Sequence, residues 1–201
     1  MKPSYRFYRR CYHLARTAIG IFYRIQVFGY ENIPDNAAMV CANHSSGIDP
    51  FFVAFAFGIN HHMHVIAKVE LFRIPVIAPI LKKLGMISVN RGVVDASTIK
   101  SSFGYLKNNE KVVIFPEGTR VSKDDAIAAK TGAVKIAEHA GVPLIPMYIP
   151  RKKPLFSRVT VVIGEPYYIE KQEHKRVLSD YSQLSDVLMD KIKLLNPEQL
   201  A

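Results

Sequence analysis

Short apolar runs alternate with helix-period segments along most of this chain, and no other feature constrains its fold as much. Strand-like runs are read at Ala38–Ala42, His64–Ala67, Met86–Val89, Val112–Phe115, Leu144–Ile149 and Val159–Ile163. Between them the spacing predicts helices over Pro50–Phe57, Pro75–Leu84, Asp95–Asn108 and Thr131–Ala140. Strands separated by helices must be joined by crossovers, not tight turns, which predicts an α/β layer architecture. The expected fold is a single domain with a mostly parallel or mixed sheet flanked by helices. A last amphipathic helix carries Val177, Tyr181, Leu184, Leu188, Ile192 and Leu195 on one face and stops at Asn196-Pro197. At 201 residues, 49% hydrophobic and 22% charged, the chain can bury a substantial core and is not a disordered segment.

Ahead of this pattern lies a stretch of one charge sign. Lys2, Arg6, Arg9, Arg10, Arg16 and Arg24 all precede the first acidic residue, Glu31, in a chain of net charge +10. At helical spacing Phe7, Cys11, Leu14, Ala18, Ile21, Phe22 and Ile25 fall on one side, with the arginines, His13 and Thr17 largely on the other. This predicts a basic amphipathic helix over 1–27, followed by a domain over 28–201. An anionic membrane surface is the expected partner, with acyl chains taking the apolar face and headgroups the arginines. A helix docked on its own domain is the alternative. No run of eighteen apolar residues occurs, and the basic N-terminus lacks the apolar segment and cleavage site of a signal peptide. Cys11 and Cys41 lack redox or metal spacing, which fits a reducing compartment. The expected location is the cytoplasmic face of the cell membrane, as a monotopic or peripheral protein. Charge alone would also allow a nucleic-acid binder, but aromatic RNA-binding signatures are lacking, so no nucleic-acid partner is expected.

In α/β sheets, ligands collect outside the carboxyl ends of strands. Three polar clusters follow predicted strands directly: Asn43–Asp49, Asn90-Arg91-Gly92 and Pro116–Arg120. His44 and Asp49, with four residues between them, offer an imidazole that can exchange a proton near neutrality and a carboxylate that can fix its tautomer. Asp49-Pro50 also reads as a helix cap and first turn. In Pro116-Glu117-Gly118-Thr119-Arg120 the arginine fork matches phosphate oxygens, and Glu117 can orient a hydroxyl or hold the arginine. Arg91 and Lys68, each after another strand, add cationic groups. The expected ligand is therefore a phosphate-bearing molecule whose hydroxyl meets His44. His61-His62-Met63-His64 has no acidic or cysteine ligand at suitable sequence spacing, so no metal site is expected, and the segment reads as a loop entering a strand. The apolar run Phe51–Phe57 is read as core filling, with a lipid-facing role as the alternative.

These residues carry a family resemblance. The Asn-His-x-Ser-x-x-Asp pattern, Gly85 through Arg91, Phe-Pro-Glu-Gly-Thr-Arg, and Val142-Pro143-Leu144-Ile145-Pro146 resemble, in order, the four blocks of the glycerolipid acyltransferases. Within that group the chain is most similar to bacterial 1-acyl-sn-glycerol-3-phosphate acyltransferases, over residues 28 to 165. The resemblance implies that His44, oriented by Asp49, deprotonates the 2-hydroxyl of lysophosphatidic acid for attack on an acyl thioester. The donor would be acyl-carrier protein or acyl-CoA, with no cofactor. Glu117, Gly118, Thr119 and Arg120, with Arg91 and Lys68, would bind the glycerol phosphate. Backbone amides near Ser45–Gly47 or in the fourth block would face the oxyanion. Val121 departs from the small polar residue common in relatives. Alternatives are glycerol 3-phosphate or another lysophospholipid as acceptor, a serine hydrolase using Ser45 or Ser46, and a non-enzymatic basic membrane-binding protein.

Overall fold

The computed structural model describes residues 4–90, 96–121, 129–170, 172, 174 and 176–199. Its centre is a seven-stranded sheet in the order β1-β7-β6-β2-β5-β3-β4. The strands are β1 (Arg24–Phe28), β2 (Ala38–Ala42), β3 (Met63–Lys68), β4 (Ile87–Val89), β5 (Lys111–Ile114), β6 (Leu144–Tyr148) and β7 (Arg158–Ile163). Neighbours run parallel except β6 and β7, so β7 and its parallel partner β1 oppose the other five. The helices are α1 (Tyr5–Gly20), α2 (Asp49–Phe57), α3 (Ile77–Lys83), α4 (Ala96–Lys107), α5 (Gly132–Ala140) and α6 (Leu178–Leu194).

Strand β2 is wholly buried, because its alternate side chains enter two different cores. Met39 and Cys41 join Leu106 of α4, Ala133 and Val134 of α5, and Leu188 and Ile192 of α6. Ala38, Val40 and Ala42 face Phe52, Val53 and Phe57 of α2, with Tyr12, Ala15 and Ile19 of α1 packed at the edge. The run Phe51–Phe57 thus fills core, with Phe51 alone left exposed. Each expected strand and helix of the main pattern forms within about two residues of its anticipated ends.

Two features differ from the spacing. The N-terminal helix stops at Gly20, and Arg24–Phe28 forms the edge strand β1 in register with Arg158–Val162. Its apolar residues fit a helical face as well as a strand, and pairing with β7 decides between them. The seat of α1 also lies one sector away from the expected stripe. Tyr8, Tyr12, Ala15 and Ile19 dock on the body, leaving Leu14 75% and Ile21 65% exposed. Ser4 caps this helix, its hydroxyl accepting from the Phe7 amide at 3.4 Å. No helix among the described residues is long and apolar enough to cross a membrane.

Candidate active site

Five parallel strands, β6, β2, β5, β3 and β4, end on one edge of the sheet, and β2 hands the chain to the loop Asn43–Ile48. Asn43 extends the ladder where backbone pairing stops. Its Nδ2 donates to the Ile149 carbonyl and its Oδ1 accepts from the Ile149 amide, both at 2.7 Å. This clamp fixes the loop's origin beside the end of β6.

The chain then folds back so that His44 Nδ1 meets Asp49 Oδ2 at 2.9 Å. A carboxylate only accepts, so the imidazole proton sits on Nδ1 and Nε2 keeps its lone pair. The ring lies against Phe115, centroids 4.2 Å apart, and the residue is 7% exposed. Asp49 does more than expected, and in the opposite direction to a cap. Instead of turning toward the amides of α2, Oδ2 accepts from Ser45 N and Ser46 N, each at 2.7 Å. Two amides and an imidazole lie behind it, and they outcompete the helix's own first turn. Burial pushes the Asp49 carboxyl up, but the His44 hydrogen bond, the Lys153 charge and the Ser46 and Ser45 amides outweigh this and hold it below 3.8.

Lys153 completes the pair. Its ammonium, on a side chain 4% exposed, lies 3.0 Å from Asp49 Oδ1. It also donates to Ser45 Oγ at 2.8 Å and to the Pro150 carbonyl. Ser45 Oγ in turn donates to the Arg151 carbonyl at 3.1 Å. Its proton and lone pair are thus engaged away from His44, the reverse of an activated nucleophile.

Glu117 lies beneath the loop, 3% exposed. Oε2 accepts from the His44 amide at 2.8 Å, and Oε1 is paired with the Arg151 guanidinium. Arg151 also donates to the Val121 carbonyl at 2.9 Å, and the Val121 amide donates to the His44 carbonyl at 2.8 Å. Of the candidate binding residues, Glu117 therefore faces the protein's own backbone. Gly118, at φ 67°, turns the loop tightly, and Thr119 and Arg120 are exposed at its tip. Arg120 reaches back over the first loop: a Cβ added to Gly47 would lie 3.3 Å from its Nη2. Lys68 ends β3 on the same edge but pairs with Glu70 at 2.9 Å, both side chains about half exposed. Arg91 lies outside the described residues. Arg151 and Lys153 were missed from sequence, although they follow β6 on this edge in the basic run Pro150-Arg151-Lys152-Lys153-Pro154.

An imidazole with a fixed tautomer, a cationic loop and an open edge are features that transfer to a phosphate-bearing hydroxyl can use. The acyltransferase family model matches residues 24–150, which contain both loops and the dyad. The chain belongs to the acyltransferase family. It is 31% identical over 195 residues to the 1-acyl-sn-glycerol-3-phosphate acyltransferase of Bacillus subtilis strain 168, covering 94% of this chain and 96% of the relative. The same-named enzyme of Borreliella burgdorferi is 26% identical over 196 residues, covering 96% and 75%. A crystal structure of the 1-acyl-sn-glycerophosphate acyltransferase PlsC from Thermotoga maritima superposes with TM-score 0.69 at 27% identity, covering 94% of this chain and 79% of that one. This acyltransferase is therefore an O-acyltransferase with the α/β fold of PlsC.

Proposed function

We propose that this acyltransferase moves an acyl group from acyl-carrier protein or acyl-CoA to the 2-hydroxyl of 1-acyl-glycerol 3-phosphate, giving phosphatidic acid. The observation that carries the mechanism is the His44 Nδ1–Asp49 Oδ2 contact of 2.9 Å, which leaves Nε2 basic at the open edge. Nε2 takes the proton of the acceptor hydroxyl as its oxygen attacks the thioester carbonyl. Collapse of the tetrahedral oxyanion breaks the C–S bond, and the imidazolium returns its proton to the departing thiolate. Asp49 holds the ring and offsets its positive charge, and Lys153 and the two serine amides keep Asp49 anionic and still. With Ser45 N and Ser46 N engaged by Asp49, the oxyanion must find its donors elsewhere. The reaction needs no metal or cofactor.

The acceptor's phosphate is assigned to Arg120 and Arg91, with Gly118, Thr119 and Lys68 around it, and Glu117 acts through the His44 backbone. The acceptor follows from the names of relatives in several species. Glycerol 3-phosphate or another lysophospholipid is the runner-up. The exposed stripe of α1 beside its arginines supports peripheral binding to the anionic cytoplasmic leaflet, where such an acceptor resides. The test pairs the purified chain with radiolabelled acyl thioester and a panel of acceptors. Label should enter phosphatidic acid, and His44→Ala should lower the rate by about 10²–10⁴ while remaining folded. Near wild-type turnover in that variant would sink the mechanism, and preference for another acceptor would reassign the substrate.

A further inference from the structure

The opposite edge of the sheet, at the amino ends of β3 and β5, holds a cluster that the acyl-transfer site does not use. Side-chain donor atoms of His62, His64 and Glu110 all lie within 4.8 Å of one another. The acidic member is distant in sequence. It arrives because β3 and β5 pair with Met63 opposite Lys111, which brings the residue before β5 alongside His64.

Proton counting makes this more than a surface hydrogen bond. His64 Nδ1 contacts the Gly85 carbonyl at 2.9 Å, and a carbonyl can only accept, so the ring proton is on Nδ1. Nε2 then carries a lone pair, yet it faces a carboxylate oxygen of Glu110 in close contact. Two lone pairs come together only with a cation between them, either a proton or a metal ion. A proton needs two partners, whereas here three donors converge. His62 makes the third, its Nε2 donating to the Leu84 carbonyl at 3.0 Å. Backbone carbonyls holding one nitrogen of each ring are the usual outer-shell support of metal-ligating histidines.

We propose that His62, His64 and Glu110 form a binding site for a divalent transition metal of the zinc class, separate from the catalytic edge. Two imidazoles and a carboxylate suit Zn²⁺, and a water in the cleft lined by Asn60, His62, Tyr105 and Glu110 supplies the fourth position. Ligands about 2.0–2.2 Å from a tetrahedral ion lie about 3.3–3.6 Å apart, within reach of small side-chain rotations from the present set. The ion would act on architecture. His62 packs against Tyr8 of α1 with ring centroids 4.3 Å apart and the planes tilted by 44°, and the Tyr8 hydroxyl donates to the His61 carbonyl at 3.1 Å. Metal at His62 therefore ties β3, β5 and the seat of α1 together.

Zinc and cobalt titration of the untagged, chelator-stripped chain tests this, read by calorimetry, cobalt d–d absorption and thermal unfolding. The expected result is one equivalent bound, a tetrahedral cobalt spectrum and a raised Tm. Glu110→Gln and His62→Asn, at positions outside the fully buried core, should each weaken binding at least tenfold and lose the Tm rise while keeping a native circular dichroism spectrum. Absence of saturable binding would leave a protonated His64–Glu110 pair only and overturn the proposal. Undiminished binding in both variants would place the metal on other histidines and overturn it equally.

Discussion

Charge is used in two opposite ways in this molecule. At the carboxyl edge, Asp49, Glu117, Arg151 and Lys153 are nearly removed from solvent, and each meets an opposite charge within the loop cluster. On α1, Arg6, Arg9 and Arg10 are exposed and none forms an ion pair among the described residues. Buried charges cost several kcal/mol to desolvate and are held only by complete pairing, so they act as fixed scaffolding for His44. Exposed charges of one sign cost little and act at a distance within the Debye length, on whatever anion approaches. One loop serves both regions. The connection from β6 to β7 sends Arg151 and Lys153 inward and leaves Leu155 and Phe156 64% and 71% exposed, with Phe156 beside Phe22 just after α1.

The strongest way to break this comparison is to unpair a buried charge. Arg151→Met strands the Glu117 carboxylate and should destabilise the fold by about 3–5 kcal/mol, read by chemical denaturation. Adding Glu117→Gln should recover much of that loss, since Gln Oε1 can still accept from the His44 amide. A single variant as stable as the wild type would show that the pair is solvated after all.

Lys153→Met sharpens the catalytic half. Losing the buried ion pair with Asp49 should lower kcat by about 10- to 100-fold with little change in KM. Removing the cation also raises the Asp49 carboxyl, so the acid limb of the kcat profile should move to higher pH. A merely structural lysine would leave that limb in place. The same depressed carboxyl contributes stability that is present above its unfolded value near 3.8 and is lost as pH falls through its lower folded value. The stability gap between wild type and Asp49→Asn should therefore be level from pH 5 to 8 and shrink below about pH 4.

For α1, Arg9→Gln with Arg10→Gln should weaken binding to anionic vesicles by about 30-fold, at roughly 1 kcal/mol per arginine. The loss should vanish at high salt, and acyl transfer to a water-soluble short-chain acceptor should be unchanged. Salt-independent binding in the wild type would remove the electrostatic half of the contrast.

Most of this fold is legible in the sequence because buried parallel strands write themselves as apolar runs, as in Ala38–Ala42 and Leu144–Tyr148. The dyad is legible because its members are near in sequence, His44 in the loop after β2 and Asp49 at the first position of α2. What was not legible depends on register and on long-range competition. Arg24–Phe28 satisfies both periods, and only β7 makes it a strand. Asp49 looks like a cap until Ser45, Ser46 and Lys153 are placed behind it. Glu110 is invisible to His64 until β5 pairs with β3, and Arg151 belongs to Glu117 only after β6 inserts beside β2.

Gly47 gives the smallest effect and the finest test of where the two uses of charge meet. Arg120 is exposed like the arginines of α1, yet its guanidinium lies over Gly47 in the loop after β2. A methyl group at Gly47 would stand 3.3 Å from Arg120 Nη2, tighter than a comfortable contact but opposed only by a flexible side chain. Gly47→Ala should thus displace Arg120 slightly and leave His44 and Asp49 untouched. If Arg120 binds the acceptor's phosphate, KM for the acceptor rises a few-fold while kcat and KM for the thioester hold. A fall in kcat alone would instead mean that Gly47 supports the dyad loop, moving Arg120 out of the substrate site.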